Sequence, residues 1–114
     1  MHEVSIAEEI KNVVIKKLNE NNGKKVKKIK LLIGEMTTIV PEALQFALTI
    51  VSENTPMEDC KVKIKVLKTK ARCNLCYKEF FIRDNNFLCS KCKTHEIEII
   101  QGREMIIQSV EMER

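Results

Sequence analysis

The sequence predicts an α+β fold: two helices packed on a small, about three-stranded mixed sheet, with a four-cysteine metal lobe inserted before the last strand. Three observations predict it. Apolar residues recur at helical steps in two segments. Two further segments alternate apolar and basic residues with the period of a strand. Between the second of these and the chain's end, Cys73, Cys76, Cys89 and Cys92 form two Cys-x-x-Cys pairs separated by twelve residues.

The first helix follows from Val4, Ile6, Ala7, Ile10, Val13, Val14 and Leu18, which recur at three- and four-residue steps. Glu3, Glu8 and Glu9 suit its positive end, and Ser5 with Glu8 has the spacing of a capping box. Asn21-Asn22-Gly23 supplies a left-handed terminator. Val26 to Ile33 reads as a strand, with Ile29, Leu31 and Ile33 on one face and Lys28 and Lys30 on the other; Gly34 closes it. Pro41 fits the first turn of a second helix. That helix buries Leu44, Ala47, Leu48 and Val51 and stops at Asn54-Thr55-Pro56. Cys60, Val62, Ile64 and Val66 alternate with Lys61, Lys63 and Lys65, a half-buried strand. The metal lobe occupies residues 69–97, and residues 1–68 plus 98–114 form the α/β lobe. Residues 97–110 are β-rich with a turn at Gly102-Arg103.

Composition narrows the function. The chain has 114 residues, 44% hydrophobic and 4% aromatic, with no Trp, so its core is built from Ile, Val, Leu and Met. Lys and Arg number 20 against 16 Asp and Glu, a net charge of +4 that permits an acidic partner without demanding nucleic acid. A Lys- and Glu-rich surface laced with ion pairs, as in heat-adapted proteins, is the preferred explanation of this balance. No apolar run approaches the roughly 20 residues of a membrane span, and the opening residues lack the basic start of a signal peptide. Paired Cys-x-x-Cys without such a signal points to a reducing, cytoplasmic setting and to metal rather than disulfides.

Two Cys-x-x-Cys turns complete a tetrahedral shell of four thiolates, the usual structural zinc site; a rubredoxin-like iron site is the alternative. A filled shell leaves no open position for water activation. Cys60 lies on an apolar strand face and reads as a small hydrophobe. His95 either donates toward a zinc-bound thiolate or sits in a solvated loop. Arg103 and Glu104 read as ordinary turn and strand-edge residues. At the other end, His2 follows an initiator Met1 that should be retained. The α-amine of Met1, the amide of His2 and its imidazole can close successive chelate rings on a planar d8 ion such as Ni2+; Glu3 adds an amide or a carboxylate, and Cu2+ would satisfy the same donors. From these residues alone the signal is weak, and a chance Met-His start is the favoured reading.

Taken as whole motifs, the residues resemble one family. Met1-His2-Glu3-Val4-Ser5-Ile6-Ala7, Leu32-Ile33-Gly34-Glu35-Met36, Val40-Pro41-Glu42-Ala43-Leu44-Gln45-Phe46, the cysteine quartet, and Gly102-Arg103-Glu104-Met105 running to Glu111 are similar to the successive signatures of the HypA/HybF hydrogenase maturation proteins. That resemblance implies a nickel metallochaperone, not an enzyme. It implies Ni2+ held at Met1, His2 and Glu3 and a mainly structural zinc at Cys73, Cys76, Cys89 and Cys92. It further implies delivery to the large subunit of a nickel–iron hydrogenase, with a nickel-handling GTPase or ATPase of the HypB type as partner. Monomer and homodimer are both compatible with it. The chain departs from the family pattern at Cys89-Ser90-Lys91-Cys92-Lys93, where Pro within the pair and Gly after it are usual, and at Cys60, where a small residue is usual. A nucleic-acid-binding ribbon using Lys24, Lys25, Lys27, Lys28 and Lys30 is the competing reading, opposed by the scarcity of aromatics. A zinc-stapled adaptor is the third.

Overall fold

The computed structural model describes residues 2–114, with side chains from Glu3 onward. Met1 and the His2 side chain, both expected to hold nickel, lie outside the described residues. Helix α1 runs His2–Glu20 and strand β1 runs Lys25–Gly34. A 3-10 turn, Glu35–Thr37, leads to α2, Pro41–Val51, and β2, Lys61–Leu67. Strands β3 (Lys70–Cys73), β4 (Glu79–Phe81) and β5 (Ile97–Gln101) follow, and β6 (Met105–Glu113) ends the chain.

Two sheets result. The first has the order β2-β1-β6, with β2 parallel to β1 and β6 antiparallel to it. A parallel pair needs a crossover, and α2 supplies it. The second is antiparallel, β4-β3-β5. The expected α+β class is therefore present: two helices, a mixed three-stranded sheet, and a cysteine-bearing lobe before the last strand. Strand β5 pairs with β3, so the second sheet reaches Gln101 and takes up residues 98–101, which the sequence assigned to the first lobe.

One core lies between the first sheet and the helices. Ala7, Ile10, Val14 and Leu18 of α1 meet Leu44, Ala47 and Leu48 of α2 over Val26, Ile29, Leu31 and Ile33 of β1. Burying each large side chain contributes roughly 1.5–3 kcal/mol. Val4 and Val13, expected in the stripe, are exposed, as is Val66. Val13 sits one residue, about 100° of helix, from the fully buried Val14 and so turns outward. Helix α1 starts upstream of Ser5, so the capping box does not form; Glu8 pairs with Lys11 at 3.0 Å instead. The helix ends in a Schellman motif. Asn22 takes the left-handed conformation (φ 56°), while the Gly23 N–H donates to the Leu18 carbonyl at 2.8 Å and the Asn22 N–H to that of Asn19 at 3.2 Å. Asn22, not Gly23, is the left-handed residue. Gly23 is small for another reason: an added Cβ would fall 2.4 Å from Leu18 Cδ1.

Candidate metal centre

Strand β3 ends on Cys73 and thereby delivers the first knuckle. The Tyr77 N–H donates to the Cys73 carbonyl at 2.9 Å, and the Cys73 N–H donates to that of Lys78 at 2.9 Å. The second knuckle repeats this. The Lys93 N–H donates to the Cys89 carbonyl at 2.8 Å, and the Cys89 N–H to that of Thr94 at 3.0 Å. Each turn closes on a left-handed residue, Tyr77 (φ 62°) and Lys93 (φ 56°). The departure from glycine after the second pair therefore places a lysine in a conformation that disfavours a Cβ.

The knuckles aim backbone donors at sulfur. Leu75 N–H and Cys76 N–H lie 3.3 and 3.5 Å from Cys73 Sγ, and Cys92 N–H lies 3.4 Å from Cys89 Sγ. Such donors stabilise thiolate charge. All four Sγ atoms fall within 4.8 Å of one another, and Cys76 and Cys89 Sγ are 3.8 Å apart. A regular tetrahedron with Zn–S arms of about 2.3 Å has edges of about 3.8 Å. All five cysteines are free thiols. Donor type, number and spacing thus fit zinc, held by Cys73 and Cys89 at the buried base and by the half-buried Cys76 and Cys92. Packed this closely, the thiols oppose one another. The Cys76 N–H leads in pulling Cys73 down to about 7, and the Cys76 side chain leads in pushing Cys92 up to about 12.

His95 does not face a thiolate. Its Nδ1 lies 2.9 Å from the Phe87 carbonyl, which only accepts, so the proton is on Nδ1. The contact ties the segment before the second knuckle to the segment after it. Backbone amides, not an imidazole, supply the hydrogen bonds to sulfur. Cys60 is half-buried against the helical core, and burial pushes its thiol up, as the small-hydrophobe reading expects.

Glu35 and Glu104 are more than turn residues. Glu35 Oε2 accepts from the buried Thr69 N–H at 2.8 Å, and Glu104 Oε1 accepts from the Gly102 N–H at 2.7 Å. The Gly34 N–H donates to the Glu104 carbonyl and the Met36 N–H to the Gly102 carbonyl, each at 2.8 Å. These bonds form the neck where both linkers between the sheets cross. Gly34 must be glycine, because a Cβ there would lie 2.0 Å from the Gly102 oxygen. Gly102 has φ 130°, which other residues rarely adopt. Sequence reasoning read Glu104 as incidental; the usable signal was a carboxylate closely following each neck glycine.

Of the three residues expected to hold nickel, Glu3 is half-buried in the first turn of α1, the His2 backbone belongs to the same helix, and Met1 and the His2 side chain lie outside the described residues. Among the described residues, the four cysteines are the one group of metal-ligating side chains gathered closely enough to hold an ion. No described helix is long and apolar enough to cross a membrane.

Known proteins resemble the whole chain. The family model described as "Hydrogenase/urease nickel incorporation, metallochaperone, hypA" matches residues 1–112. A hydrogenase maturation factor HypA of Desulfatibacillum aliphaticivorans is 36% identical over 113 residues, covering 98% of this chain and 87% of that protein. One of Desulfitobacterium hafniense is 34% identical, covering 99% of each. The solution structure of the Ni metallochaperone HypA from Helicobacter pylori shares the fold, with a TM-score of 0.70, 22% identity and 97% coverage of both chains. A second HypA solution structure reaches a TM-score of 0.77 at 24% identity, covering 98% of this chain and 96% of that one. With its fold, its cysteine quartet and this match in hand, the chain belongs to the HypA family of hydrogenase/urease nickel-incorporation metallochaperones.

Proposed function

We propose that this chain carries Ni2+ at its amino terminus, on Met1, His2 and Glu3, and gives it up during maturation of a nickel–iron hydrogenase. The match of the family model from residue 1 onward, across the Met-His-Glu start, is the observation that carries this reading. The place of His2 in the first described turn of α1 supports it. The first N–H groups of a helix have no intrahelical acceptor, so an amide there can yield its proton to a metal without breaking the helix. A terminal site also allows ligands to be exchanged one at a time. In this reading the α/β lobe, residues 1–68 and 98–114, handles nickel. The lobe built on residues 69–97, continued by β5 to Gln101, holds a structural zinc on Cys73, Cys76, Cys89 and Cys92. The partners are a HypB-type nucleotide-hydrolysing protein and the hydrogenase large subunit, in the cytoplasm.

Titration of untagged, zinc-loaded protein with Ni2+ tests it. Binding should weaken below about pH 7, because the imidazole and α-amine, with ordinary values of about 6.5 and 7.7–8, take up competing protons. His2→Ala, or an added residue ahead of Met1, should abolish nickel binding and leave zinc in place. Unchanged nickel affinity in both variants would move the site elsewhere.

A further inference from the structure

The open face of the first sheet carries a field of lysines. Ile29, Leu31, Val62, Ile64 and Val110 pack into the helical core, so the residues alternating with them face away from the helices. Strand register sets these in rows: Lys61 beside Lys28 beside Glu111, then Lys63 beside Lys30 beside Ser109, then Lys65 beside Leu32 beside Ile106. Like charges directly opposite on paired strands are destabilising, yet two such pairs, Lys28–Lys61 and Lys30–Lys63, stand side by side. The ion pairs among the described residues are Lys11–Glu8, Lys70–Glu79 and Arg72–Glu98, so none engages this field. An ion-pair lattice of the heat-adapted kind does not account for it.

We propose that this face docks an extended acidic segment of a partner protein. Neighbouring strands lie about 4.8 Å apart and alternate residues about 6.6 Å apart. The lysine positions therefore form two columns along β1 and β2, with the same step as alternate residues of an extended chain. The last row turns apolar, with Leu32 beside an Ile106 that is 45% exposed, and takes an apolar residue at one end of the segment. None of the three rows contains an aromatic side chain on which a nucleobase could stack. This surface is separate from the nickel reading and stands or falls without it.

The experiment is fluorescence anisotropy with zinc-loaded protein and a labelled peptide alternating Glu and Thr and ending in Leu, at low salt. The peptide should bind, and Lys30→Gln/Lys63→Gln should weaken it about tenfold, from two contacts of roughly 0.7 kcal/mol each. The same charge loss on the metal lobe, Lys78→Gln/Lys93→Gln, should change it less than twofold. Removing facing like charges should not lower the melting temperature, so a loss of binding is not unfolding. No binding, equal weakening by the two double variants, or tighter binding to a DNA or RNA oligonucleotide or to phosphatidylserine vesicles would overturn the proposal.

Discussion

The Glu35 carboxylate accepts the Thr69 backbone N–H at 2.8 Å, across 34 residues of sequence, and so ties the end of β1 to the start of the second sheet. Thr69 is buried, and no water can replace a missing partner cheaply. Glu35→Ala should therefore cost about 1–3 kcal/mol. Urea denaturation of zinc-loaded protein measures the loss. Amide exchange should quicken at Thr69 before it quickens in β1.

Gly34→Ala should be harsher. Its Cβ would meet a backbone carbonyl, not the movable end of a side chain. A loss of roughly 2–4 kcal/mol is expected from such overpacking. For Gly102→Ala the cost comes from φ 130° and adds to a 3.0 Å approach to Thr69 Oγ1. Melting temperatures of the two single variants and the double variant should show non-additivity, because the side chain added at Gly34 would displace the backbone of Gly102 itself.

Lys93→Gly should stabilise the protein. Lys93 sits at φ 56° and closes the second knuckle. Relief of the left-handed penalty, about 1 kcal/mol, should raise the thermal midpoint by a few degrees. An unchanged or lower midpoint would mean that the lysine side chain makes a compensating contact.

Zinc affinity should rise with pH. The Cys76 N–H holds the Cys73 thiol down at about 7, while the neighbouring Cys76 thiol pushes Cys92 up to about 12. A metal that needs four thiolates must therefore displace protons at any moderate pH, and above all from Cys92. Competition with a chromophoric chelator from pH 6 to 8 should show proton release on binding; a flat affinity would contradict it. Cys73→Ala should release zinc and melt β3–β5, while the core of Leu18, Leu31 and Leu48 keeps its helices folded by circular dichroism.

Much of this was legible in the residues. Period 3.6 in Ala7, Ile10, Val14 and Leu18 and period 2 in Ile29, Leu31 and Ile33 announce which faces are buried, because burial of those faces is what forms the elements. The cysteine spacing announces the metal site, since knuckle geometry is local. What escaped was non-local. The helix start overrode the Ser5–Glu8 spacing, and the roles of Glu35 and Glu104 depend on two linkers meeting in space. His95 lies near the thiolates in sequence but spends its ring proton on Phe87. Register, too, is invisible before folding: only pairing puts Lys28 beside Lys61.

The neck also sets the chain's modularity. Thr69 and Gly102, the entry to and exit from the second sheet, lie so close that a Cβ added to Gly102 would fall 3.0 Å from Thr69 Oγ1. A segment whose ends lie this close behaves as a closed parenthesis within the sequence. Its interior can lengthen, shorten or change its ligands while β1 and β6 keep their register, as insertions between adjacent termini generally allow. Selection can thus retune the metal lobe and leave the scaffold that bears the amino terminus as it was.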